Sequence, residues 1–219
     1  GGSKGGVGKS LFSFALVDYL LNRNANILLV DTDTDNPDVF KAHKDLALPN
    51  LLCRLNSLDD ADGWAELLDS VQDYPDYAVV INAAARTKTS TASYGDIMKE
   101  ALREMQRELT VFWIINRPRD SIELLHSFQE VFTDVSIHVC RNLYFGEAQR
   151  FDMYNTSKAR EAVEKNGRTL DFPAVGNRVA DWLYSKRMSI RAAHPEMPFG
   201  TRAELQRWRG LCAKMFESI

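Results

Sequence analysis

The sequence opens Gly-Gly-Ser-Lys-Gly-Gly-Val-Gly-Lys-Ser, and this stretch constrains the rest of the chain more than any other. Glycines let a backbone curl until successive N–H groups converge on an anion. Lys9 then brings positive charge to β- and γ-phosphates, and the Ser10 hydroxyl takes one Mg²⁺ position. Helical spacing follows: Leu11, Phe12, Ala15, Leu16, Tyr19 and Leu20 form one apolar stripe that ends near Asn22 and Asn24. The start of that helix adds unpaired N–H groups and the positive end of its dipole. A glycine-rich stretch alone reads as a tag or linker. Gly8-Lys9-Ser10 opening an amphipathic helix, with an apolar strand soon after, reads as a nucleotide-binding loop.

The remaining chain alternates strand and helix patterns. Apolar runs of strand length occupy 26–31, 51–55, 77–82, 110–116, 135–141 and 169–172. Helices are expected over 37–44, 62–71 and 94–109, from 120 or 121, over 149–165, from 175 through 188, and from 201 onward. Ser157 reads as an internal cap and Gly167 as a helix end, and segment 86–95, rich in Thr and Ser, reads as a loop. In the last helix Leu205, Trp208, Cys212, Met215 and Phe216 share one face. Such alternation specifies an α/β fold with a doubly wound, mainly parallel, Rossmann-like sheet flanked by helices. The length of 219 residues suits a single domain, 1–219, with a helical C-terminal segment over 176–219. A loop of this kind normally follows a buried central strand, yet nothing stands before Gly1. The expectation is a fragment whose first strand is missing and whose sheet has a gap.

A net charge of −3 and a pI near 5.9 exclude a globally basic nucleic-acid binder. The C-terminal part is nevertheless locally basic, with Lys186, Arg187, Arg191, Arg202, Arg207 and Arg209 against Glu196 and Glu204. Two readings stay open there, phosphate contacts to DNA and a solvated helical face. Cys53, Cys140 and Cys212 have no metal-ligand spacing, and an odd number closes no disulfide framework. Cys140 reads as a buried thiol and His138 as a core histidine. No run approaches the roughly 18 apolar residues of a membrane span, and with no signal peptide evident the expected compartment is the cytoplasm. The terminal apolar face suits packing on the body or a partner better than a membrane surface.

The loop departs from G-x-x-x-x-G-K-[ST]: Ser3 replaces the usual first glycine, and Lys4 adds a second lysine in K-G-G-V-G-K-S. This resembles the deviant Walker A loop of the ParA/MinD family of ATPases. The resemblance implies that Lys4 reaches across an ATP-dependent homodimer to the partner's nucleotide. It implies that Gly5, Gly6, Val7, Gly8, Lys9, Ser10 and Leu11 hold ATP phosphates, with Mg²⁺ at Ser10. The acidic segment 31–38, DTDTDNPD, resembles the family's switch I. By that likeness Asp33 positions the attacking water and Asp31 lies near the Mg²⁺ shell. Where the family carries a metal-facing aspartate at the end of the next strand, this chain has Asn82 followed by Ala-Ala-Ala-Arg. A neutral amide lends no charge to a cation, so slow hydrolysis is expected, and Asn82→Asp is expected to raise turnover. Asn142 and Pro173 occupy the places that contact the base in the family. No N-K-x-D run for guanine stands at the Asn142 position, which favours ATP.

Segments INAAAR, WIINRPRDS, RNLYFG and RAELQRWRG look like a narrower group, the TraL- or MobD-like ATPases of plasmid conjugation and mobilisation. That likeness implies a protein partner in a DNA transfer or partition complex. Two alternatives remain at this stage: a nucleotide-binding scaffold that scarcely hydrolyses, which Asn82 supports, and a kinase of a small acceptor, which Lys4 opposes.

Overall fold

The computed structural model describes residues 6–84 and 88–219; Lys4, Gly5 and Arg86 lie outside the described residues. Helix α1 (Lys9–Asn22) starts at the loop lysine. Asn24, at φ 56°, follows its end in the left-handed region, which Asn tolerates better than most side chains. Then come β1 (Ile27–Asp31), α2 (Asp38–His43), β2 (Leu51–Leu55), α3 (Ala61–Asp73), β3 (Ala78–Asn82) and α4 (Lys88–Glu104). They are followed by β4 (Thr110–Ile115), α5 (Asp120–Val131), β5 (Ser136–Asn142), α6 (Asp152–Asn155), α7 (Lys158–Asn166) and β6 (Thr169–Phe172). The chain closes with α8 (Asn177–Ser185), α9 (Ile190–Glu196) and α10 (Phe199–Phe216). Among the described residues all strand pairs are parallel, in two three-stranded sheets ordered β2-β1-β3 and β4-β5-β6. The fold is α/β, with parallel strands flanked by helices, as expected from the sequence.

The chain divides into two compact units, one of which comprises Ser10–Asn56, Tyr74–Asn82 and Pro173–Ile219. Here β1 is buried at all five positions, as a central parallel strand must be when both faces are covered. Ile27 and Leu29 meet Val17 and Leu21 of α1, Val39 of α2, Leu51 of β2 and Val80 of β3. The register sets Asp31 opposite Asn82 at the strand ends. Helix α10 buries Leu205, Trp208, Cys212, Met215 and Phe216, the face expected from the sequence. Trp208 donates its indole N–H to the Pro173 carbonyl at 2.8 Å, and Phe216 meets Phe12 edge-on. Arg209 donates from Nε and Nη2 to the two oxygens of Asp18 on α1, at 2.8 and 3.0 Å. Among the described residues no helix is long and apolar enough to cross a membrane.

The second unit takes in the loop up to Lys9, Ser57–Asp73 and Ala83–Phe172. Alternate residues of β4 and β5 (Val111, Trp113 and Ile115; Ile137 and Val139) form one apolar face. That face packs on Leu125 of α5, Val163 of α7, Phe151 and Tyr154. His138 and Cys140 are buried, His138 stacked on Phe112.

Three helix assignments differ from the sequence reading. Helix α4 starts at Lys88, inside the segment read as a loop. Ser and Thr are accepted at helix starts, so their abundance does not identify a loop. The single helix expected over 149–165 is interrupted: Ser157, at φ −91° and ψ 151°, caps α7 by accepting the Arg160 N–H. The stretch expected to be helical through 188 ends at Ser185, and Ser189 caps the separate α9.

Removal of the Arg209 side chain leaves Asp18, 5 % exposed, without its guanidinium. Arg209→Ala is expected to destabilise the chain by roughly 3 kcal/mol, since an uncompensated buried charge is costly. The double variant with Asp18→Ala should lose less than the sum of the single losses. Urea unfolding of the four proteins measures both.

Candidate functional site

The glycine-rich loop owes its shape to two glycines, Gly6 at φ 78° and Gly8 at φ 102°, on either side of the buried Val7. Both angles are in the region that favours glycine, and such a turn directs successive N–H groups to one side. A Cβ on Gly6 would meet open space, whereas one on Gly8 would lie 2.4 Å from Nδ2 of Asn142. Asn142, at the end of β5, is 4 % exposed. Its Nδ2 donates to the Val7 carbonyl at 2.9 Å, and its Oδ1 accepts the Tyr144 N–H at 3.1 Å. Lys9 and Ser10, the first residues of α1, are partly exposed.

At the C-terminal end of the β2-β1-β3 sheet, Asp31 is fully buried and accepts from four N–H groups. Oδ1 takes the Asn82 amide at 2.9 Å and the Asp33 N–H at 3.3 Å. Oδ2 takes the Val39 and Phe40 N–H groups at 3.1 and 3.0 Å. These last two are orphan donors of the first turn of α2, so Asp31 caps that helix from eight positions upstream. Because a carboxylate only accepts, the Asn82 amide must point its nitrogen at Asp31. Its oxygen accepts the Ser13 hydroxyl of α1 at 3.0 Å. The Asn82 carbonyl accepts from Thr32 N and Oγ1. Burial raises the Asp31 carboxyl above its ordinary range, and the N–H donors of Asn82, Phe40 and Asp33 hold that rise down. Asp33 is partly exposed on the following loop and accepts the Asn36 N–H at 3.1 Å.

Sequence reasoning places Asp31 and Asn82 near a cation, and the structure brings these two side chains together. Their oxygens are already accepting protein N–H and O–H groups. Among the described residues no group of three His, Cys, Asp or Glu is arranged to hold a metal ion. The start of α1 does fit a phosphate with its cation: glycine-shaped loop, lysine, then a hydroxyl in the first helical turn. Leu11 is in that turn too, and its N–H faces the hydroxyl of Tyr184 on α8. Burial first, then Asp38, push that hydroxyl up to about 12, against the Leu11 N–H. Tyr184 carries no sequence signal, since only tertiary packing brings it to the helix start. Pro173 is buried and its carbonyl is taken by Trp208.

The cysteines and His43 are shaped by burial. Burial pushes the Cys53 thiol up to about 11 and also raises Cys140 and Cys212. His43 is held down to about 4 by burial, donates its Nδ1–H to the Val39 carbonyl at 2.8 Å, and stacks on Phe14. In the C-terminal basic segment, Arg207 forms a two-pronged bond to Glu204 at 2.7 Å. With Arg209 on Asp18 and the Lys186 amine over the Trp182 ring, part of that charge is engaged within the chain.

Residues 1–145 match the model of the CobQ/CobB/MinD/ParA nucleotide binding domain. The whole chain is 47 % identical, over 220 residues, to "Protein MobD" of Acidithiobacillus ferrooxidans, of which 95 % is covered. Among solved structures, the MinD cell division protein of Aquifex aeolicus is similar at a TM-score of 0.56 and 14 % identity. The match covers 100 % of this chain and 94 % of that one. A chain of the MinC:MinD cell division complex from the same organism gives 0.55 and 11 %, with the same coverage. At these identities the structural likeness establishes the fold alone.

The Asp31–Asn82 geometry sets a stability cost against the gain expected from Asn82→Asp. The substitution removes the donor to Asp31 and puts a second carboxylate against it. At pH 7 the variant is expected to lose about 1–3 kcal/mol of stability. For Asp31 alone, a carboxyl raised in the folded state stabilises below its unfolded value of about 3.9 and loses that contribution as pH rises through its raised value. Two facing carboxylates strengthen this trend, so the deficit of the variant should shrink as pH falls toward 5. Urea unfolding of both proteins at pH 7 and pH 5 tests the sign; a variant as stable as the parent at pH 7 would contradict the geometry.

Proposed function

The chain belongs to the CobQ/CobB/MinD/ParA nucleotide-binding family, and from that premise we propose that it is an ATP-driven dimer switch serving plasmid mobilisation, transfer or partition. The observation that carries this reading is the run of Gly6 and Gly8, both at positive φ, into α1 at Lys9-Ser10. In the proposal Gly5, Gly6, Val7 and Gly8 present N–H groups to the phosphates, Lys9 supplies the positive charge, and Leu11, whose N–H is taken by the Tyr184 hydroxyl, lines the site without donating to it. Ser10 holds Mg²⁺, which neutralises phosphate charge when bound. Asp31 and Asn82 stand behind it, shaping the loop that carries Asp33 rather than offering open ligand oxygens. Asp33, partly exposed on that loop, orients the attacking water. By the family resemblance Asn142, and separately Pro173, would contact the base.

Lys4 would reach the partner subunit's nucleotide, so that ATP joins two copies and hydrolysis separates them. Likeness to MobD supports a protein partner in a DNA transfer complex. Direct DNA contact would rest on Lys186, Arg187, Arg191 and Arg202, because Arg207 and Arg209 hold carboxylates. A second reading, a nucleotide-dependent scaffold with little hydrolysis, is favoured by the neutral Asn82 and its engagement by Ser13. Single-turnover ATP hydrolysis across a Mg²⁺ series, with and without DNA, separates the two: turnover supports the switch, and binding without turnover supports the scaffold.

Lys9→Ala is expected to weaken ATP binding by about a hundredfold or more, the loss of a charge-assisted contact to phosphate. Titration with a fluorescent ATP analogue measures it, and unchanged affinity sinks the phosphate-loop assignment. Lys4→Ala, by contrast, should leave monomer affinity nearly intact and abolish ATP-dependent dimerisation. Light scattering with and without ATP is the check; normal dimerisation by the variant would remove Lys4 from the partner's site.

A further inference from the structure

We propose that Asn142 is a positioning residue that aims the phosphate loop from the end of β5, so that grip on phosphate and contact with the base depend on one side chain. This rests on the nucleotide-binding reading above and adds to Asn142 a task separate from the base. The first support is the bond from Nδ2 to the Val7 carbonyl, 2.9 Å long and buried. In a trans peptide the carbonyl of one residue and the N–H of the next point in opposite directions. Anchoring the Val7 carbonyl therefore fixes where the Gly8 N–H points, and that N–H is one of the donors a phosphate meets.

Close approach is the second support. A Cβ at Gly8 would stand 2.4 Å from Nδ2, so glycine is required here for the approach of Asn142 as well as for its φ of 102°. Third, the Tyr144 N–H bonds to Oδ1 at 3.1 Å and settles the amide orientation, nitrogen toward the loop. A carboxamide offers two N–H groups and two lone pairs, and these bonds use one of each. The other N–H and lone pair match the N7 and N6 edge of adenine. Without the anchor the peptide between Val7 and Gly8 is free to rotate, and its N–H loses its direction.

The decisive comparison is ATP against tripolyphosphate, which carries the phosphates and no base. With Asn142→Ala, calorimetric affinity for tripolyphosphate is expected to fall about tenfold, for the loss of one buried hydrogen bond, and that for ATP by at least as much. A loss confined to ATP, with tripolyphosphate unchanged, makes Asn142 a base reader only and overturns the proposal; so does no loss for either. A parent protein that binds neither compound instead overturns the nucleotide-binding reading. Hydrogen exchange of the loop peptide covering Val7–Lys9 gives a readout that needs no ligand. Faster exchange in the variant is expected, and unchanged exchange overturns the anchor. Should Asn142→Ala fail to fold, Asn142→Ser, too short to reach Val7, replaces it in both measurements.

Discussion

The buried carboxylate of Asp31 holds together more of this protein than any other single group. Four N–H donors converge on it, from Asn82, Asp33, Val39 and Phe40. Through them it joins the end of β1 to the end of β3, shapes the acidic loop and caps α2. Asn82 extends the chain of bonds to Ser13 on α1. A buried carboxylate is tolerated only when its lone pairs are satisfied, and here they are. The arrangement gives the amide at position 82 a task, since its nitrogen supplies a donor to Asp31 that a carboxylate lacks.

The same economy of polar groups recurs at the other loop. Val7 is buried between two glycines at positive φ, and its carbonyl would be an unsatisfied acceptor without Asn142. In each unit an asparagine amide thus acts as a two-sided connector, one end donating and one accepting.

Elsewhere charge serves packing. Arg209 and Asp18 join α10 to α1 beside the aromatic contact of Phe216 with Phe12. Trp208, fully buried, ties the same helix to the Pro173 turn through its indole N–H. An apparently basic C-terminal segment is in part a set of internal clamps, and its surface is less cationic than its composition.

Legibility followed the range of the interactions. The glycine loop, the stripe of α1 and every strand were readable from local pattern, because chain curling, helical period and apolar runs are properties of neighbouring residues. So was the α/β class, which follows from their alternation, and the buried face of α10. Cap positions were harder: Ser157 looks the same inside a helix as at its start, and only its extended backbone separates the two. The partners of Asp31, Asn82 and Asn142 were decided by tertiary structure alone. Asp31 and Asn82 are 51 positions apart and meet through strand register, while Asn142 reaches Val7 across 135. Sequence names the groups able to donate and accept, but which donor meets which acceptor is set where distant segments are buried together and each polar atom must find a partner.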